Sequence, residues 1–398
     1  MTLTSSTRIY FDNAATTPMD PRVIEEMKPF LNGTFGNPSS LHQEGRAARD
    51  AIEQARQRIA ALLGANTGEV VFTASGTEAD NMALVGVIQT PVTGPVHVVT
   101  SAFEHPAILE VCRFLERQGA TVTYLPVGSD GIVDPEALCR ALQKGAKLVS
   151  IMTANNVVGT VQPIAELAPI AHEHGALFHT DAVQAVGKLP IDIQRNCIDL
   201  LSLSSHKLHG PKGVGALIVR EAVPFQPLIH GGGQEGGRRS GTENVAGIVG
   251  LGKAAEIAGA EMTDESARLV GLRDQLIEGV QNLIADAYII GHRYRRLPGH
   301  LCLGFHGLEG ETIKLLLALD KEGVSVSTGS ACSAHHAGEP SYVLMAMGID
   351  PFRARGSIRL TLGRFNTGAD VEFFLDVLPR VITDLKPITT RRCGNRRG

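Results

Sequence analysis

A chain of 398 residues, 43% of them hydrophobic, is long enough to bury a large core, and its length suggests about two domains. The net charge of -4 leaves no basic footprint for nucleic acid beyond a short tail with Arg391, Arg392, Arg396 and Arg397, and nowhere do about 18 apolar residues run together as a membrane helix needs. The opening MTLTSSTRIYFDN carries no long apolar segment, so the cytoplasm is the expected compartment.

In chain order, β-rich runs alternate with helical stretches: EVVFTASG, PVHVVTSAFEH, ATVTYLPV, KLVSIMTANN, GALFHTDAVQ, DLLSLSSHK and GALIVR. The alternation predicts an α/β fold with a mostly parallel seven-stranded sheet. After about residue 255 the pattern changes. The run SARLVGLRDQLIEGVQNLI repeats leucine and valine at helical spacing, and HLCLGFHGL, ETIKLLLALD, VSVSTGSAC, PSYVLMAMG and SIRLTLG then read as strand, helix, strand, helix, strand before a final helix from about Asp370 to Leu385. This predicts a large domain over residues 16–255 and a smaller α+β domain formed by 1–15 with 256–398. No stretch rich in Pro, Gly or Ser separates them, so close packing is expected.

Several predicted strands end in polar or reactive residues: Ser75-Gly76-Thr77, Glu104-His105, Asn155-Asn156, Asp181 with Gln184, and Ser204 through Lys207. In open α/β sheets ligands bind outside the carboxyl ends of the strands, so these clusters should meet at one crevice. A lysine closing an apolar run is a Schiff-base candidate, because loss of water disfavours its ammonium form. A carboxylate on the preceding strand, Asp181, suits the ring nitrogen of a pyridoxal cofactor; the two could equally form a structural ion pair. The strand-turn-helix corner ASGTEADNMAL offers amides to a phosphate, although Thr77 with Asp80 also fits a capping-box variant. The glycine-rich HGGGQEGGRRSGTEN could bring amides, Thr242 and an arginine to an anion, or be a surface turn.

His105 stands before Pro106 at a strand-to-helix junction where an imidazole could lie on an aromatic ring. Asn156 and Gln184 could bond a phenolic oxygen or satisfy nearby backbone. The six cysteines show no C-x-x-C spacing, and the fourteen histidines form no H-E-x-x-H pattern, so neither a disulfide framework nor a metal site is expected. Cys332 lies among small and polar residues, beside His335 and His336, and reads as an exposed thiol; Cys302, on an apolar alternation, reads as a buried one. Arg359 on an apolar strand needs an anionic partner such as a substrate α-carboxylate.

Taken together the motifs resemble the cysteine desulfurases of the NifS and IscS type, within the class V branch of fold type I enzymes that use pyridoxal 5'-phosphate (PLP). The resemblance rests on YFDNAATTPMDPRV, FGNPSSLH, VVFTASGTEADN, EHPAIL, HTDAVQAVGKLPID, SSHKLHGPKGVGAL, GGGQEGGRRSGTEN, GSAC, EPSYVL and SIRLTLGRF, in order along nearly the whole chain. It implies Lys207 as the PLP lysine, Asp181 at the pyridine nitrogen, His105 stacked on the ring, and Asn156 and Gln184 near its hydroxyl. It implies phosphate contacts from Gly76, Thr77, Ser204 and His206, with Thr242 reaching the phosphate of a neighbouring subunit in a homodimer. Arg359 would hold the substrate carboxylate, with Asn156 beside it, and Cys332 would accept the sulfur of L-cysteine before passing it to an acceptor protein such as an iron-sulfur scaffold.

Two departures stand out. Val157 occupies a position where the family often has Glu, which removes one polar contact expected near the cofactor. The loop between Cys332 and Pro340 is slightly longer than usual and carries the His335/His336 pair, so its partner surface is expected to differ. Competing readings are a selenocysteine lyase, an aminotransferase of the same fold, or a non-catalytic assembly scaffold.

Overall fold

The computed structural model describes residues 8–91, 96–328 and 339–385. Cys332, His335 and His336 lie outside the described residues. The chain enters through β1 (Ile9–Tyr10), α1 (Pro21–Asn32) and α2 (Gln43–Leu63). It then alternates β2 (Val70–Thr73), α3 (Gly76–Ile88), β3 (His97–Ser101), α4 (Pro106–Arg117), β4 (Thr121–Leu125), α5 (Pro135–Leu142), β5 (Leu148–Ser150), α6 (Ile164–Glu173) and β6 (Leu177–Asp181). β7 (Leu200–Ser204) and β8 (Gly215–Val219) complete the sheet.

All seven runs form strands of one sheet in the order β2-β8-β7-β6-β5-β3-β4. β8 is antiparallel to both neighbours and the other pairings are parallel. Strands buried on both faces read as continuous apolar runs rather than alternations, and β7 and β8 are buried at every residue. The chain steps outward from β3 to β4 and then returns to β5 on the other side of β3, so strand order reverses between β3 and β5. That reversal opens a crevice at their carboxyl ends, where His105 and Asn156 follow.

The second half begins with α7 (Val245–Leu283), a single helix of 39 residues. Then come β9 (Ala287–Ile290), β10 (His300–Phe305), α8 (Thr312–Lys321), β11 (Val324–Ser325), β12 (Ser327–Thr328), α9 (Tyr342–Ala346), β13 (Ser357–Thr361) and α10 (Gly368–Leu385). A four-stranded sheet runs β12-β13-β10-β9, and β1 pairs in parallel with β11. The run VSVST, read above as one strand, is thus two short pieces that serve different sheets.

The expected boundary at 255/256 falls inside α7, not in a linker. The first part of the helix packs on α1 and α2, and Gly252 permits this approach, since a Cβ there would stand 2.5 Å from the Ala55 Cα. Its Ile248, Leu251, Ala254 and Ile257 join the core beneath the large sheet, whereas Leu269, Leu272, Leu276 and Val280 join a separate core with Ile9, Phe11, Leu301, Ile358 and Phe374. We propose that the domain division lies within this helix, with residues 1–15 belonging to the second unit; the separate cores support it. Among the described residues no helix is long and apolar enough to cross a membrane.

Candidate active site

A cleft of about 330 Å³ lies at the carboxyl ends of the parallel strands. Its walls bring together Gly76, Thr77, His105, Asn156, Asp181, Gln184, Ser204, His206, Lys207 and Arg359, residues drawn from six separate stretches of sequence. Thr242 stands apart: it is exposed and lines a small separate pocket beside Arg239. A larger cleft of about 440 Å³ lies near α2 and the glycine-rich stretch, but its cations are engaged, Arg56 by Glu235 and Arg238 by the Gly68 carbonyl.

One end of the cleft is built to receive an anion. The N-cap of α3 is Ser75, whose Oγ accepts from the Glu78 amide (3.1 Å) while Glu78 accepts from the Ala74 amide (2.9 Å). This is the capping arrangement, displaced from the Thr77/Asp80 pair considered from sequence, and it leaves the Thr77 hydroxyl out of the cap. Amides at the start of a 13-residue helix face the cleft with the positive end of the helix dipole. A Cβ at Gly76 would sit 2.6 Å from Val183 Cγ2 and 3.3 Å from Ser204 Cβ, so only glycine lets these walls close together. His206, bonded through Nδ1 to the Thr16 hydroxyl (3.1 Å), is pushed down to about 4 by burial and by the charges of Lys207, Lys212 and Lys188, and is neutral near pH 7.

The other end is acidic and buried. Asp181 closes β6 and is buried; its Oδ1 accepts from the Val183 amide (2.9 Å). Burial raises its pKa, and the nearby His105 and Lys207 oppose that rise. Behind it, burial and then the charge of Asp181 hold the Asp80 carboxyl well above the usual range. His179, fully buried between the Ser150 and Ser202 hydroxyls, is pushed down to about 3 by burial, so its 3.8 Å approach to Asp80 is not an ion pair. His105 caps α4, its Nδ1 accepting from the Ala107 amide (3.1 Å), which fixes the ring and leaves the proton of a neutral imidazole on Nε2.

Glu104 is a third buried acid, accepting from Ser101 Oγ and the Met152 amide. Burial pushes its carboxyl up to about 8, from an ordinary 4.5, so the folded chain holds a proton that the unfolded chain releases. The stability that proton contributes is therefore complete below about pH 4.5 and is lost as pH rises through about 8. Glu104→Gln is expected to remove this part of the pH dependence, so that urea midpoints of variant and wild type diverge in the variant's favour as pH rises. Parallel curves for the two proteins would contradict the assignment.

Lys207 sits on a short 3₁₀ turn (Ser205–Lys207) just beyond β7, half-buried rather than enclosed at the strand end as expected. Its Nζ donates to the carbonyls of Ala14 (2.5 Å) and Ala15 (2.7 Å). Gln184 Nε2 donates to the same Ala14 oxygen (2.9 Å), while its buried Oε1 has no hydrogen-bond partner among the described residues. Sequence reasoning gave the N-terminal segment no part in the site; its run of small residues, AATT, is the one local signal that could have pointed to a close backbone approach.

Arg359 on β13 is 1% exposed. Its Nη1 donates to the Asn156 carbonyl (2.8 Å) and its Nη2 to Asp12 Oδ1 (2.7 Å), so the anionic partner it requires is already present in the chain. Val157 departs from expectation too: its side chain packs in an apolar cluster with Phe103, Met152 and Val343 and does not line the cleft. Neighbouring Asn155 spends its side chain on the amides of Val157 and Val158 and the Phe103 carbonyl. Cys302 is fully buried, with its thiol pushed up to about 12 by burial.

The chain matches the family model "Aminotransferase class-V" over residues 9–374. It is 52% identical to "Cysteine desulfurase IscS" of Dictyoglomus turgidum over 381 residues, 96% of each chain. The chain belongs to the class V aminotransferase family, in its cysteine desulfurase branch. Membership makes it an enzyme of the desulfurase type in a PLP-dependent family. A solved structure titled "NIFS-LIKE PROTEIN" shares 41% identity at a TM-score of 0.89, covering 95% of this chain and 100% of that one. Another, "SspA in complex with cysteine", shares 37% identity at a TM-score of 0.79, covering 91% and 100%.

The site residues fit a flat, phosphorylated pyridine aldehyde. Helix amides, hydroxyls and a neutral histidine suit the phosphate, the buried carboxylate suits a protonated ring nitrogen, the primary amine suits the aldehyde, and Gln184 Oε1 awaits a partner.

Proposed function

We propose that this cleft binds PLP and L-cysteine and converts the amino acid to L-alanine, leaving its sulfur as a persulfide on Cys332. The convergence of Lys207, Asp181, His105 and Arg359 on one cleft carries this reading. Gly76, Thr77, Ser204 and His206 would hold the phosphate, Asp181 the ring nitrogen, His105 the ring face, and Asn156 and Gln184 its hydroxyl. Bound PLP supplies an electron sink for the carbon atoms of an attached amino acid.

Lys207 would hold the cofactor through its primary amine, and that amine would also take the substrate Cα proton and return one to carbon. Arg359 holds the α-carboxylate, and with Asn156 beside it fixes which bonds are exposed to reaction. Cys332, as thiolate, attacks the substrate sulfur; the Cβ–S bond breaks with its electron pair left on carbon, which takes a proton and leaves as alanine. The sum is L-cysteine plus one thiol giving L-alanine plus one persulfide. The small residues around the thiol, Ser330-Ala331 and Ser333-Ala334, suit a segment that must receive sulfur and then deliver it.

The partners in this reading are a second copy of the chain and a sulfur-acceptor protein of iron-sulfur assembly or of thiolation, in the cytoplasm. Leu31 near the end of α1 and Phe35 and Leu41 in the link to α2 are exposed at 67%, 80% and 80%, apolar side chains of the kind that a subunit interface covers, and Thr242, exposed outside the cleft, is free to serve a partner's phosphate.

The test is product analysis of the purified, PLP-loaded protein with L-cysteine and, separately, with L-selenocysteine. L-Alanine from L-cysteine without keto acid is the expected outcome. Keto acid as the main product, or activity with L-selenocysteine alone, would overturn the desulfurase reading.

A further inference from the structure

Arg359 is occupied before any substrate arrives. One terminal nitrogen serves the Asn156 carbonyl and the other serves Asp12, while its buried Nε has no hydrogen-bond partner among the described residues. Asp12 is held firmly in place. The Thr361 amide donates to the Phe11 carbonyl (2.7 Å), the Asn13 side chain donates to the Thr361 carbonyl (2.8 Å), and the Ala14 amide donates to Thr361 Oγ1 (2.8 Å). Thr361 lies two residues beyond Arg359 on the same strand, so backbone pairing sets the carboxylate against the guanidinium.

A guanidinium buried in the cleft without an anion would be a desolvated, uncompensated charge, and Asp12 supplies the compensation. The same carboxylate has a cost once a ligand binds. Two carboxylates then share one guanidinium, and their repulsion in a poorly solvated place weakens the hold on the newcomer. For a desulfurase this matters at the end of the cycle, because L-alanine carries the same α-carboxylate as L-cysteine. A guanidinium free of any resident anion would hold product as firmly as substrate.

We propose that Asp12 is a resident counter-carboxylate for Arg359: a positioning residue that orients the guanidinium, leaves its Nε edge to the amino acid's α-carboxylate, and lowers the affinity of that contact so that L-alanine is released. This rests on Arg359 being the carboxylate site, as in the function proposed above. Asp12→Asn keeps the size and an acceptor oxygen for the guanidinium and removes only the charge.

The experiment is calorimetric titration of PLP-loaded wild type, Asp12→Asn and Arg359→Ala with L-alanine, and with L-alaninamide, which lacks the carboxylate. In Asp12→Asn the dissociation constant for L-alanine is expected to fall about tenfold, a modest share of the interaction between like charges at such range, with the alaninamide constant unmoved. The KM for L-cysteine should fall in parallel and kcat should not rise. If Asp12→Asn does not fold, Asp12→Ser, also neutral, should shift the alanine-to-alaninamide ratio in the same direction. Unchanged or weaker alanine binding in the folded neutral variant, or an equal shift for both ligands, would overturn the proposal. Unchanged alanine binding in Arg359→Ala would instead overturn the carboxylate assignment on which it rests.

Discussion

Lys207→Ala is expected to lower L-cysteine turnover by more than about 10³-fold while the protein keeps its fold, because the substitution removes both the covalent anchor for PLP and the base at the substrate Cα. Folding should survive, since the side chain is half-buried and the two carbonyls it serves are not left stranded. The Ala14 carbonyl keeps its bond from Gln184, and Ala15 is exposed to water. Borohydride reduction followed by peptide mapping should label the peptide containing residue 207 in the wild type and nothing in the variant. A small primary amine added to the medium should restore part of the proton transfer. Turnover within about tenfold of wild type would remove Lys207 from the mechanism.

Cys332→Ala is expected to bind L-cysteine normally, since Arg359 and Lys207 remain, yet to lose alanine production by a factor on the order of 10³ or more. No other thiol among the described residues can replace it. Cys112 and Cys302 are buried with pKa values pushed up to about 12 by burial, and neither Cys139 nor Cys197 lines the cleft. The segment carrying Cys332 leaves β12 at Thr328, beside Arg359, because Ser327 is the β12 residue paired with Arg359. Beyond the segment, Tyr342 donates to the Glu104 carbonyl (2.8 Å), which anchors the far end near the same cleft. Spectral titration with L-cysteine gives binding, and alanine release gives turnover. Alanine at wild-type rates from the variant would mean that the sulfur leaves by another route.

Most of the large domain was legible because its signals are local. Seven apolar runs bounded by turns became seven strands, and the reactive residues at their ends met in one cleft for the general reason that parallel strands all end on the same side. What escaped depends on distant contacts. Helical periodicity does not break where α7 passes from one core to the other, so a boundary inside a continuous helix leaves no mark in the sequence. The pieces β1 and β9 are too short to show a period, and VSVST gives no sign that Val326 divides two sheets. Asp12 sits 347 residues from Arg359 along the chain, and nothing local distinguishes it from any exposed aspartate in a turn. Glu104 was visible as the neighbour of His105, but its complete burial follows from the packing of β3 against β5, which no single run reveals.

The most direct test of the central claim is a single-turnover reaction of the PLP-loaded wild type with L-cysteine, with alanine and protein-bound sulfane sulfur quantified together and the sulfur located by peptide mapping. One persulfide per alanine, on the peptide containing Cys332, is the predicted result. Alanine without protein-bound sulfur, or sulfur located on a different cysteine, would contradict it.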